Sequence, residues 1–284
     1  MAQLLLSKEV NAPIKAAQKE HCERLRKNGV IPTLGIIRAG GSPEDDAYIA
    51  GIERVFGSVG IEVAVFESVP GAETDEVLKT VKEVGGRKDI HAMLLLKPLP
   101  RGLDERAISN AIPREKDADA VSELLVPAAY LGKTDGFLPC TAAAVMRILD
   151  HYGIDPAGKR AVVVGRSMVV GKPAAMLLLS RNATVTICHS KTQNLPGICR
   201  EADIIVAAAG VRGLLGRDCF ATGQTVIDAG INIDENGKLC GDVCFEEAEP
   251  IVKAITPVPG GVGGVTTVIL AGAVLDAAEK TLKE

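Results

Sequence analysis

Residues 161–191 read AVVVGRSMVVGKPAAMLLLSRNATVTICHSK, and this stretch decides the fold. An apolar, β-branched run ends at Gly165. A loop follows with Arg166, Ser167 and a second glycine, Gly171. An amphipathic helix is expected from Pro173 to Ser180, and a second β-branched run spans Ala183 to Cys188. Apolar, β-branched runs on either side of a helical pattern make one β-α-β unit. Its first turn is built for an anion, because a helix start preceded by small residues presents free N–H groups and the positive end of the helix dipole.

The second strand runs into His189-Ser190-Lys191, where a dinucleotide fold reads the adenosine ribose. A site for the bare 2′-hydroxyl places an acid there; a hydroxyl and a cation, with Arg166 near, suit a 2′-phosphate, hence NADP rather than NAD. The loop departs from G-x-G-x-x-G, since Gly165 and Gly171 are six apart, so on its own it also fits an ordinary β-α-β turn.

Outward from this unit, strand and helix alternate. Helices are expected over Asn11–Gly29 (Asn11 as cap, Pro13 in the first turn), from Ser42-Pro43-Glu44-Asp45 to Gly60, over Thr74–Val84, and from Pro139 to near Gly153. Strands are expected over Ile31–Ile37, Ile61–Phe66, Ala92–Leu96, Asp203–Ala209 and Thr225–Asp228. The pattern predicts α/β architecture with parallel sheets and ligands at the C-terminal strand ends. Pro257–Gly264, PVPGGVGG, reads as a loop able to approach a flat ligand or as a long turn, and Val265–Lys283 as a closing helix that returns to the first domain. The 284 residues suit two domains: residues 1–138 with the helix at about 268–284, and residues 139–267.

Composition narrows the function. A 47% apolar content supports a sizeable core, and a net charge of −4 without a basic run argues against nucleic acid as a partner. No apolar stretch is expected to span a membrane, and the N-terminus does not resemble a secretory signal. Seven scattered cysteines point to a reduced, cytoplasmic protein without a disulfide framework. Cys240 and Cys244 lack further ligands nearby in sequence, so no metal is expected.

Segments spread through the chain then resemble the methylenetetrahydrofolate dehydrogenase/cyclohydrolase family. They include PLP at 98–100, KDAD at 116–119, PCTAAAVM at 139–146, VVVGRSMVVGKP at 162–173, VIDAGIN at 226–232, GDV at 241–243 and TPVPGGVGGVTT at 256–267. The resemblance implies two Rossmann-like α/β/α domains around a cleft, usually in a homodimer. It implies hydride transfer from 5,10-methylenetetrahydrofolate to NADP⁺, then hydrolysis to 10-formyltetrahydrofolate. By position it implies cofactor contacts at Gly165, Arg166, Ser167, Gly171, Ser190 and Ile231. Tyr48 matches the tyrosine that stacks on the folate, Asp119 the aspartate that holds the pterin, and Pro259, Gly260 and Gly261 the loop at the substrate.

The folate side departs from the family pattern. The usual lysine four residues after the tyrosine is Ile52, the usual glutamine before PLP is Leu96, and a common serine is Asp45. The usual PMT after PGGVG is GVT. Hydride transfer from a carbon flanked by two nitrogens needs geometry above all. Hydrolysis needs a group that moves protons, and isoleucine cannot. Arg54, six residues after Tyr48, lies about 240° round the helix. Lys97, beside Leu96, is the candidate substitute, or else a solvated lysine at a sheet edge. Three readings stay open: a dehydrogenase with weak cyclohydrolase activity, a full bifunctional enzyme using Lys97, and a folate- or nucleotide-binding protein without catalysis.

Overall fold

The computed structural model describes residues 1–41, 43–69, 71–123, 125, 130 and 137–282. Ser42, expected at a helix start, and Lys283, expected to end the last helix, lie outside the described residues. The chain divides into two compact units, one built on Met1–Ala12 and Pro139–Thr266, the other on residues 13–125 and 267–282.

The first unit holds, among the described residues, a six-stranded parallel sheet in the order β1-β11-β8-β7-β5-β6. Its strands are β1 (Gln3–Leu4), β5 (Arg160–Val164), β6 (Thr184–Cys188), β7 (Ile204–Ala207), β8 (Thr225–Asp228) and β11 (Ala254–Ile255). β5, β7 and β8 are buried almost throughout, which is why they read as continuous apolar runs rather than alternating ones. Helices α5 (Cys140–His151), α6 (Gly171–Ser180), α7 (Leu195–Arg200) and α8 (Phe245–Ala248) belong to this unit. The chain leaves β5 for β6 on one side and then for β7 on the other, so the strand order reverses at the end of β5.

The second unit holds a parallel sheet, β3-β2-β4 among the described residues, from β2 (Thr33–Ala39), β3 (Glu62–Ser68) and β4 (Ala92–Leu95). α2 (Pro43–Val59), α3 (Thr74–Gly86) and α4 (Glu105–Asn110) follow these strands. Ile37, Val77, Val81, Met93, Leu95 and Ile108 form part of its core.

Besides shifts of one or two residues at other element ends, three differences from the sequence expectation stand out. The first helix, α1 (Ser7–Lys27), starts four residues before Asn11 and carries Pro13 in its interior. Its start is set by distant partners: Ser7 N–H donates to the Gly260 carbonyl at 2.8 Å, and Asn11 Nδ2 donates to the Gly264 carbonyl at 2.9 Å instead of capping. Residues 1–12 group with the six-stranded sheet rather than with the rest of 1–138, because Gln3 and Leu4 pair with Ala254 and Ile255. The last helix, α9 (Val262–Thr281), absorbs the final three residues of the expected glycine loop. It is long and apolar enough to cross a membrane by length and composition, contrary to expectation. Half of that stretch is buried inside the protein, with Leu270, Ala271, Val274 and Leu275 among the covered residues, as in a core helix.

Candidate active site

The loop after β5 is shaped by its two glycines. Gly165 has φ +131°, and a Cβ there would stand 2.0 Å from the Ala208 carbonyl oxygen at the end of β7. A Cβ on Gly171 would stand 2.3 Å from the Gly165 carbonyl oxygen. The chain therefore folds back on itself at the point where the strand order reverses, and only glycine fits at either position. This cradle leads straight into the N-terminus of α6, whose free N–H groups and dipole suit an anion. Ser167 Oγ accepts from the N–H groups of Val170 at 3.2 Å and Gly171 at 3.3 Å, so its oxygen first holds the loop itself. Arg166 and Ser167 are exposed.

Gly165 N–H donates to the Cys188 carbonyl at 2.9 Å, which brings the starts of the 166 and 189 loops side by side. His189–Thr192 is a fixed turn: Thr192 N–H donates to the His189 carbonyl and His189 N–H to Thr192 Oγ1, each at 2.8 Å. It leaves Ser190 and Lys191 exposed, in the loop whose start adjoins that of the loop carrying Arg166. A hydroxyl and two cations at this corner fit a ribose phosphate.

Ile231 is 65% exposed at the end of β8, and its side chain lies near Gly263 at the start of α9. Pro259 and Gly260 are exposed, whereas Gly261 is buried, where a Cβ would meet the Pro257 carbonyl oxygen at 2.5 Å. Ile231 and the 257–261 loop thus share one region of this unit.

Sequence reasoning missed two residues beneath that region. Asp228 and Asp242 are buried carboxylates within VIDAGIN and GDV. Asp228 Oδ1 accepts from Gly230 N–H at 2.9 Å and Oδ2 from Val243 N–H at 2.9 Å. Burial pushes the Asp228 carboxyl up to about 6, with the neighbouring Asp242 charge adding to the rise and backbone N–H groups opposing it. Asp242 accepts from the N–H groups of Ala209, Gly210 and Val211 and from Asn232 Nδ2. An acid closing or flanking an apolar run beside glycine was the available signal. A short hairpin was missed as well, β9 (Asn232–Ile233) with β10 (Leu239–Cys240), although Asn236-Gly237 is a hairpin turn signal.

In the second unit, the sequence-predicted residues fall at the C-terminal ends of β2 and β4. Tyr48, on α2, is 42% exposed. Ile52, one turn on, is 0% exposed and joins Ile49, Phe56 and Val59 on the buried face of the helix. Leu96 is buried, and its N–H donates to the Ile37 carbonyl at 3.0 Å. Lys97 Nζ pairs with Glu105 Oε1 at 3.0 Å. Asp45, at the serine position, faces Arg38 Nε at 4.0 Å, and the same guanidinium binds Asp46 at 2.8 Å.

KDAD separates into three roles. Lys116 Nζ donates to the carbonyls of Gly85 and Arg87, closing the end of α3; burial lowers its pKa. Asp117 is buried and accepts from Val121 and Ser122 N–H; burial raises its pKa. Asp119 stays partly exposed. The cation and the first acid therefore build the turn, and the second acid is the one that water or a ligand can reach. Among the described residues no group of three His, Cys, Asp or Glu side chains is arranged to hold a metal ion.

A parallel sheet with a glycine-built loop at its reversal point, joined to a second parallel α/β unit, defines a Rossmann-type nucleotide-binding class. The chain belongs to the tetrahydrofolate dehydrogenase/cyclohydrolase family. The model of that family's catalytic domain matches residues 5–119, and the model of its NAD(P)-binding domain matches residues 139–282. The chain is 49% identical over 272 residues to the bifunctional protein FolD of Carboxydothermus hydrogenoformans, covering 95% of each. Its fold matches the crystal structure of the bifunctional FolD dehydrogenase/cyclohydrolase from Campylobacter jejuni with a TM-score of 0.96, at 36% identity, covering 99% of this chain and 100% of the other. It also matches the Trypanosoma brucei FolD enzyme complexed with NADP cofactor and inhibitor, with a TM-score of 0.93 at 32% identity, covering 100% and 99%.

Proposed function

We propose that this chain oxidises 5,10-methylenetetrahydrofolate to the methenyl compound with NADP⁺, and that its cyclohydrolase step is weak. Residues 139–266 hold the cofactor and residues 13–125 the folate. The observation that carries the second half is the pair Ile52 and Lys97. The position four residues after Tyr48 is a fully buried apolar side chain, and the amine beside Leu96 in sequence is paired with Glu105.

Bound NADP⁺ supplies the hydride acceptor. The residues for its phosphates are Gly165, Ser167 and Gly171 at the cradle, with Arg166, Ser190 and Lys191 at the ribose phosphate. Ile231 offers an apolar face to the ring system, next to Pro259, Gly260 and Gly261. Tyr48 stacks on the folate, and Asp119 hydrogen-bonds the pterin. Leu96 contributes apolar contact only. Orientation of the donor carbon is the chain's contribution to hydride transfer, and no side-chain proton donor is needed. Hydrolysis asks more: the attacking water must lose a proton and a ring nitrogen must gain one. With Ile52 in place of an amine, a factor of about 10² to 10⁴ in rate is missing. The family resemblance to homodimers is part of this reading.

The deciding experiment follows NADPH formation and methenyl decay separately on purified protein. NADPH should form rapidly while the methenyl absorbance decays no faster than in buffer. Rapid enzyme-dependent decay overturns the weak cyclohydrolase, and loss of that decay in Lys97→Met then assigns it to Lys97. Absence of NADPH formation overturns the dehydrogenase.

A further inference from the structure

The ends of β7 and β8 are tied together by two carboxylates that interlock. Asp228, at the end of β8, lies against Gly241: a Cβ on Gly241 would stand 1.9 Å from Asp228 Oδ2. Asp242 lies against Gly230: a Cβ there would stand 2.3 Å from Asp242 Oδ1. Each acid thus occupies the space that a side chain on the other's glycine neighbour would need. The backbone closes the clasp, since Asp242 N–H donates to Asp228 Oδ1 at 3.1 Å.

Asp242 is 0% exposed and reaches two loops at once. Its Oδ2 accepts from Ala209 at 2.6 Å and Gly210 at 3.0 Å; its Oδ1 accepts from Val211 and from Asn232 Nδ2, both at 2.9 Å. The 209–211 loop continues from Ala208, whose carbonyl oxygen packs on Gly165. Asn232 is bonded to Ile231. The carboxylate therefore links the loop beside the phosphate cradle to the loop that carries Ile231. Both loops stand at C-terminal strand ends, where a doubly wound sheet binds its ligand. A charged acceptor holding consecutive amides fixes a backbone better than neutral bonds do.

We infer that Asp242, clasped with Asp228, is a positioning pair that presets the loops after β7 and β8 for the dinucleotide. It touches neither substrate nor cofactor and acts through the amides of residues 209–211 and through Asn232. The inference rests on the reading of this rim as the NADP site. Asp228 and Asp242 divide the work: Asp228 seats the second acid, and Asp242 holds the loops.

The test is NADPH binding by fluorescence titration, with steady-state kinetics in both substrates. Asp242→Asn puts an amide NH₂ against backbone N–H groups. It should raise the NADPH Kd and the NADP⁺ KM about tenfold or more, the scale of one lost charge-assisted bond, while the folate KM changes little. Gly230→Ala, which displaces the carboxylate without removing it, should move the same constants in the same direction. Asp155→Asn is the control. Asp155 accepts from Ala157 N–H at 2.9 Å in the loop that enters β5, so it is a backbone-holding acid at the opposite, N-terminal end of the strands, and its loss should leave NADPH binding unchanged. Folded Asp242→Asn protein with wild-type NADPH affinity overturns the inference, as does an equal rise in both substrates' KM. Should Asp242→Asn fail to fold, Asn232→Ala decides: a weaker rise in Kd upholds the inference and an unchanged Kd overturns it. Wild-type protein that binds no NADPH overturns the cofactor reading itself and the inference with it.

Discussion

The nucleotide side and the folate side of this chain are built from different materials. The nucleotide side is made of backbone: Gly165 and Gly171 fold a loop too tight for any Cβ, and the Asp228–Asp242 clasp holds amides in place. The proposed folate side is made of side chains on α2 and on the segment after β4, where Ile52, Leu96 and Asp45 stand in place of the residues that the family resemblance implies and Lys97 is the neighbouring amine. A backbone-built site resists change, because substitution at its glycines collides with main-chain atoms. A side-chain-built site can lose its chemistry and keep its fold, because Ile52 packs into the core where it stands.

The comparison can be broken most severely at Ile52. Ile52→Lys places an amine in a fully buried apolar position, where an unpaired charge costs several kcal/mol. Melting temperature should drop sharply, and methenyl decay should stay near the buffer rate because Leu96 offers the amine no polar partner. Strong recovery of hydrolysis in a stable Ile52→Lys protein would show that the folate side needs only one residue to regain its chemistry.

Gly171→Ala attacks the other side. Its Cβ must displace the Gly165 carbonyl or the Arg166 amide, and a shift near 1 Å at a binding loop costs on the order of 100-fold. NADPH affinity should fall by about that factor, with Tm changing less than in Ile52→Lys. Unchanged affinity would mean that the cradle does not hold the cofactor.

A paired measurement sharpens the contrast. Arg166→Ala should reduce the preference for NADP⁺ over NAD⁺ by about tenfold and spare the folate KM. Asp119→Ala should do the converse, raising the folate KM or lowering kcat while NADP⁺ affinity holds. If either variant moves both substrates equally, the two sites are not separable in the way proposed.

The smallest effect concerns pH. The Asp228 carboxyl sits near 6 in the fold, against an ordinary 3.8, chiefly because of burial. Its neutral form is the better tolerated one, so its contribution to stability is full below the unfolded value and is lost as pH rises through about 6. Between pH 4 and pH 7 the Tm difference between Asp228→Asn and wild type should therefore shift in the variant's favour. No shift, or one of opposite sign, would show that burial is not what raises this group.

The legible parts of the sequence were those in which one residue type has one physical use. Gly165 and Gly171 announced a tight turn because only glycine tolerates it. The apolar runs at β5, β7 and β8 announced buried parallel strands. Asp228 and Asp242 were illegible by the same standard, since an aspartate beside glycine also suits any surface turn. KDAD showed three charges in four residues, but which one closes a helix, which holds a turn and which stays reachable depended on what packs beside them. Lys97 read as a candidate amine, and only the structure set Glu105, eight residues on, against it.

By itself the sequence determined the α/β class, the parallel sheets and the nucleotide loop, because these rest on residue identity and on spacing within about thirty residues. Tertiary structure decided the rest. It set the start of α1 at Ser7 through Gly260, moved residues 1–12 to the six-stranded sheet, committed Lys97 to Glu105 and buried Asp242 beneath two loops. Each of those outcomes depends on the partner that a polar group or strand edge meets across the fold. A buried polar group must find such a partner wherever the chain supplies one.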